Sequence, residues 1–182
     1  MKKQDIVDDI IKLAMLDKDV AEQVAISFME FNPYRQKGAL TALEKFYRDE
    51  CNNGRDSYSF RKQIAFHFGL DEKQSAIISL SFRGKASSER AKNAAISQGI
   101  KNGKWKFRAG SCKATNRKTH ESLNDVIFVI KNGCQTPYGQ SFPGMEFGCG
   151  CELHISLENE EEKPNKKSTF SSFIRSMLGM SK

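Results

Sequence analysis

The chain has 182 residues, 38% of them apolar, and a net charge of +7. That is enough for one domain with a core plus a helical extension, and the composition is not that of a disordered chain. No stretch approaches the ~20 apolar residues of a membrane helix, and the mixed acidic and apolar pattern after Met1-Lys2-Lys3-Gln4-Asp5 predicts no signal peptide, hence cytosolic synthesis.

Residues 1–82 form a first region that reads as helical. Ile6, Ile10, Leu13 and, with drift, Leu16 recur at helical spacing, and Asp5, Asp8 and Asp9 suit a first turn. Val20, Val24, Phe28 and Phe31 share one face of a second helix that stops before Asn32-Pro33. A third is predicted over 38–52 on Leu40, Leu43, Phe46 and Tyr47, and Asn53-Gly54 breaks it. Two more, over 59–68 and 71–82, are separated at Gly69. Period-3.6 burial accounts for these stripes as core. His67, between Phe66 and Phe68, reads as a partly buried histidine with satisfied hydrogen bonds.

Residues 83–157 form a second region. Its opening segment, 83–118, carries 11 basic side chains against the single acid Glu89, a net +10, whereas residues 1–50 hold 8 basic and 10 acidic ones. Nucleic acid is the commonest partner for such concentrated charge, and a solvated face is the plain alternative. The candidate contacts are Arg90, Lys92, Lys101, Lys104, Lys106, Arg108, Lys113, Arg117 and Lys118. A helix is predicted over 86–100, N-capped by Ser87 or Ser88, with a small-residue face of Ala91, Ala94, Ala95 and Ile96 and a stop at Gly99. Trp105 and Phe107 alternate with Lys106 and Arg108 as a short strand. One or two helical turns over 116–123 precede the strongest predicted strand, 125–130, which Asn132-Gly133 bounds. A glycine-rich loop over 137–150 leads to a last strand over 151–157. Residues 158–182 are a flexible linker followed by an amphipathic helix on Phe170, Phe173, Ile174, Met177 and Leu178, suited to docking on protein rather than membrane.

Cys51, Cys112, Cys134, Cys149 and Cys151 are odd in number and lack a secretion signal, which argues against a disulfide framework. Four of the five lie beyond residue 111, a clustering that favours metal. Cys149-Gly150-Cys151 can clamp one ion if the backbone turns, and Gly148 and Gly150 permit that turn. Cys112 and His120 best complete a tetrahedral, structural Zn2+ site, with His154 and Cys134 as substitutes. No P-loop, GxSxG, HExxH or dinucleotide fingerprint occurs. Cys112, His120 and Glu121 could serve as nucleophile, base and orienting acid, but their spacing does not demand that geometry, so no catalytic residue is assigned.

One ordered set of motifs stands out. It runs Trp105-Lys-Phe-Arg-Ala-Gly-Ser-Cys112, then Arg117-Lys-Thr-His120-Glu-Ser-Leu123-Asn, then Val126-Ile-Phe128, then Phe142-Pro143-Gly144-Met-Glu-Phe-Gly-Cys149-Gly-Cys151. Together with a helix over 88–99 that carries Arg90, it resembles the phage Mu F-like head-morphogenesis domain across residues 75–157. That family pattern has a Trp strand, an Arg-x-x-His turn, a Leu-Asp/Asn-Gly-x-hydrophobic-Phe segment, a Pro-Gly and a closing Asn-Cys-Arg-Cys. Arg117, His120, Pro143, Gly144, Cys149 and Cys151 hold its motif positions. Some members carry Cys-x-x-Cys where this chain has Arg117-Lys-Thr-His120, which implies metal ligation, with Cys112 replacing the missing thiol. Gly148 and Gly150 stand in place of the usual Asn and Arg, and Asn124-Asp125 in place of Asn/Asp-Gly.

The expected fold is α+β, a helical N-terminal half followed by a small β-rich, zinc-stapled domain. The resemblance implies a phage or prophage minor head protein in the bacterial cytoplasm or virion head, bound to portal or coat protein and touching packaged DNA. The alternatives are a zinc-containing nucleic-acid-binding module of bacterial or prophage origin and a toxin-like enzyme centred on His120.

Overall fold

The computed structural model describes residues 2–155 except 36–37, 39, 53–56 and 137–138. The linker and amphipathic helix expected over 158–182 lie outside the described residues. The chain is helical in its N-terminal half, with small antiparallel sheets after it.

Helices α1 (Lys3–Ala14) and α2 (Lys18–Glu30) pack on each other. The first buries Ile6, Val7, Ile10 and Ala14 and ends at Met15, which adopts the left-handed conformation at φ 52°. The second buries Ala21, Val24, Ala25 and Phe28. Helix α3 (Ala42–Asn52) opens on a capping box, in which Thr41 Oγ1 accepts from the Glu44 N–H at 3.2 Å and Glu44 accepts from the Thr41 N–H at 2.8 Å. Glu44 is fully buried because its other oxygen also accepts the Asn32 N–H, at 2.7 Å. Helix α4 (Ser57–Phe68) contributes Phe60, Ile64 and Phe68 to the core. His67, expected to be partly buried, is exposed, with its ring edge-on to Phe68. The helix turns its core face through Ile64 and Phe68, which leaves Phe66 and His67 on the solvent side.

Helix α5 (Glu72–Ser97) corrects the expectation of two helices over 71–82 and 86–100. Gly84 in its middle disfavours helix by roughly 1 kcal/mol relative to Ala. Packing outweighs that: a Cβ at Gly84 would lie 3.3 Å from the Cys149 carbonyl and 3.4 Å from that of Gly144. Ser88, read as an N-cap, sits inside the helix and donates its hydroxyl to the Pro143 carbonyl. The division expected at residues 82 and 83 therefore falls within one continuous helix.

Lys85 is also structural, although it belongs to the basic segment. Its buried ammonium donates to the carbonyls of Phe28 and Met29 at the C-terminal end of α2, whose last turn has no basic residue of its own. These are carbonyls that a helix end leaves short of partners. Burial pulls the Lys85 ammonium down to about 8, with Glu89 and Glu44 opposing.

Strand β1 (Asn102–Lys106) is the centre of a three-stranded antiparallel sheet, between β2 (Ile127–Val129) and β5 (Glu152–Ile155). Strands β3 (Cys134–Thr136) and β4 (Gly139–Ser141) form a separate hairpin, so the predicted loop over 137–150 contains a strand. The strand expected over 125–130 contracts to three residues because Asp125 takes φ 65° and breaks the extended run. The last strand ends, within the described residues, at Ile155. One cluster of buried side chains joins the helices through Phe28, Phe31, Phe60 and Phe82. A second lies under the sheet around Trp105, Phe128, Ile130 and Phe142. Phe147, from the segment before β5, belongs to the helical cluster and meets Phe28 edge-on at 5.3 Å between ring centres. Burying such a ring contributes roughly 1.5–3 kcal/mol.

Candidate metal centre

Three segments bring Cys112, His120, Cys149 and Cys151 together. After β1 the chain turns at Arg108, whose carbonyl accepts the N–H groups of Ser111 at 3.0 Å and Cys112 at 2.8 Å. Helix α6 (Arg117–Ser122) then turns His120 inward. The third segment folds back on the first, since Gly148 accepts the Lys113 N–H at 2.7 Å. Gly148 takes φ 71°, which fits its predicted role in the turn. Gly150 acts differently, through its size: a Cβ there would lie 2.5 Å from the Ser111 carbonyl carbon.

The four donor atoms all lie within 4.8 Å of one another, and all four residues are buried. His120 Nδ1 is 3.4 Å from Cys112 Sγ and 3.9 Å from Cys151 Sγ. A tetrahedral ion with bonds of ~2.0–2.3 Å needs donor separations of roughly 3.4–3.8 Å. The cluster can therefore hold a metal ion, and His154 and Cys134 are not needed as substitutes. His154 is exposed on β5. Cys134 is buried in the sheet core, where desolvation pushes its thiol up to about 11.

Glu146 carries a role that the sequence reading did not assign. One of its oxygens lies 2.9 Å from His120 Nε2 and accepts from Asn116 Nδ2 at 2.7 Å, while the other accepts from Thr136 Oγ1 at 2.9 Å. A carboxylate at Nε2 fixes the proton there and leaves Nδ1 as the lone-pair donor toward the thiols. The place of an orienting acid is thus taken by Glu146, while Glu121 is exposed. Its only sequence signal was its position three residues ahead of Cys149.

The charges within the cluster are coupled. Hydrogen bonds from Cys149 and Cys151 hold the Cys112 thiol far below its usual range, against the effect of burial and with help from His120. The same contact with Cys112 pushes Cys149 well up. Burial disfavours the charged His120, but Cys112, Cys151 and Glu146 outweigh it and raise the imidazole to about 11. These shifts favour charge on both Cys112 and His120 beside Glu146, so ligation through Nδ1 requires that nitrogen to give up its proton. The Gly144 N–H donates to Cys149 Sγ at 3.3 Å, and Trp105, fully buried, covers His120 at 5.3 Å between ring centres. Replacing the carboxylate by an amide (Glu146→Gln) is expected to weaken metal affinity about tenfold with the fold retained. Competition against a chromogenic chelator measures this, and unchanged affinity would remove Glu146 from the centre.

The nine basic candidates differ in their surroundings. Lys106 pairs with Asp125, and Arg108 with Glu152 at 2.7 Å. Arg90, Lys92 and Arg117 lie over the rings of Tyr34, Phe142 and Phe107 at 5.8, 5.4 and 5.6 Å. Lys101, Lys113 and Lys118 are exposed, and Lys104 is half-buried on β1. No helix among the described residues is long and apolar enough to cross a membrane. No protein-family profile, no characterised protein and no solved structure matches this chain.

Proposed function

We propose that this chain is a non-enzymatic structural protein of the phage head-morphogenesis type, stapled by one Zn2+ on Cys112, His120, Cys149 and Cys151. The observation that supports the structural reading is the donor set: four buried side chains with donor atoms within 4.8 Å of one another, among them His120 at 0% exposure. Three thiolates and one imidazole in a tetrahedral set suit Zn2+, and a full protein shell is the form of structural rather than catalytic sites. The head-morphogenesis reading is supported by where its motif residues lie. Trp105 covers His120, and the carbonyl of Pro143 and the N–H of Gly144 bind Ser88 and Cys149. Trp105, His120, Gly144, Cys149 and Cys151 of the resembling pattern thus lie at one centre, while Arg117 stacks on Phe107 at the surface.

Metal analysis of protein purified without added metal or chelator tests the staple, with about one zinc per chain expected. No bound metal would overturn it. Recovery of a phage portal or coat protein with the tagged chain tests the head role, and its absence from assembled heads would overturn that role. A second reading, contact with nucleic acid, is favoured by exposed Lys101, Lys113 and Lys118. Binding through phosphate predicts an affinity for DNA that falls steeply with salt.

A further inference from the structure

A cavity of about 280 Å3 opens where α1, α2, α5 and the β3–β4 hairpin meet. Its walls include Phe28, Lys85, Lys92, Phe142, Met145 and Glu146, and none of the four metal-site residues lines it. A space of this size suits a molecule of about ten heavy atoms, at the lower end of small-ligand sites.

The charges on the walls select the ligand. Two ammonium groups face one carboxylate among the described lining residues. That carboxylate is already committed, since Glu146 uses one oxygen on His120 and Asn116 and the other on Thr136. Lys85 uses two of its three N–H donors on the Phe28 and Met29 carbonyls and keeps the third. Lys92 makes no ion pair among the described residues, and its Nζ stands 5.4 Å from the centre of the Phe142 ring. The lining therefore combines two ammonium groups with the apolar Phe28, Phe142 and Met145 and the polar Asn132, Gln140 and Ser141. An ammonium that lines a cavity without a carboxylate partner attracts an anion, and the apolar walls favour a flat hydrocarbon body.

We propose that this cavity is a binding site for a small aromatic carboxylate, with its charge on Lys92 and the free donor of Lys85 and its ring against Phe142 and Met145. The proposal stands independently of the identity of the metal.

Titration of the isotope-labelled full chain, with its bound metal, using benzoate and the neutral isostere benzamide tests the site by NMR. Saturable shifts confined to the cavity are expected with benzoate, at a Kd on the order of 1 mM, and binding of benzamide at least about tenfold weaker. Lys92→Met and Lys92→Gln are both expected to weaken benzoate about tenfold and leave benzamide unchanged, because only the charge contact is lost. Lys92 is half-buried with no ion pair among the described residues, so an otherwise unaltered spectrum is expected in each variant. Equal affinity for the two compounds would overturn the site. So would benzoate binding untouched by either substitution, or no saturable shift at the cavity.

Discussion

Cys149→Ser and Cys151→Ser are each expected to abolish stoichiometric metal and to unfold the helical half along with the sheet. The magnitude argument is simple. Zinc bound there as proposed would supply roughly 10–16 kcal/mol of binding free energy, whereas a whole domain is stable by only about 5–15 kcal/mol. The reach of the effect follows from the segment that carries the two thiols. Phe147 sits at 0% exposure in the helical core against Phe28, and the Gly148 N–H donates to Ser81 Oγ of α5 at 3.1 Å. Asp9 of α1 accepts from Thr115, between Cys112 and His120, and burial raises its carboxyl despite that bond. The helices and the metal cluster therefore share side chains, and loss of the cluster removes packing from both. Thermal melts followed by far-ultraviolet circular dichroism and by the fluorescence of Trp105, the single tryptophan, measure the two halves separately. Coincident transitions at much lower temperature are expected in both variants, and the same collapse on chelation of the wild type. Cys51→Ser, at an exposed position on α3, is the matched control and is expected to melt as wild type. Wild-type melting of the Cys149 and Cys151 variants would refute the staple, and persistence of the helical signal alone would refute the coupling.

The parts of this architecture that were legible in the sequence are those set by local chemistry. The apolar stripes of α1 to α4 follow from period-3.6 burial, Trp105 from alternation along a strand, and Phe128 from the apolar run that marks the next strand. The donor set was legible as well, because thiols and imidazoles are few and only certain spacings can converge on one ion. What stayed hidden depends on contacts distant in sequence. Gly84 read as a break between helices, and only the approach of the Gly144 and Cys149 carbonyls explains why the helix continues through it. Lys85 read as one more charge in a basic block, until the ends of the α2 carbonyl ladder came into contact with it. Glu146 had no distinguishing spacing, and its role exists only because α6 delivers a histidine to it across 26 residues.

The second large effect is expected at Gly150, which the sequence reading valued for backbone freedom and the structure values for its missing side chain. Gly150→Ala is expected to lower zinc affinity about tenfold to a hundredfold. An added Cβ would stand 2.5 Å from the Ser111 carbonyl carbon and oxygen, and these are backbone atoms that cannot rotate aside. The segment carrying Cys149 and Cys151 would have to retreat from the turn carrying Cys112. Overpacking of this kind costs roughly 1–3 kcal/mol, and each 1.4 kcal/mol is about a factor of ten in affinity. Metal sites are sensitive to it because ligand distances must hold to about 0.2 Å. Gly110→Ala provides the contrast, since a Cβ there meets nothing within 4 Å although it precedes Ser111 directly. Its φ lies outside the left-handed region, so neither strain nor crowding opposes the substitution, and its zinc affinity is expected to match wild type. Chelator competition on the two variants side by side decides the matter. Equal affinities would mean that the Ser111–Gly150 approach does not govern the separation of the thiols. A loss confined to Gly150→Ala would show that this chain closes its metal shell by backbone contact.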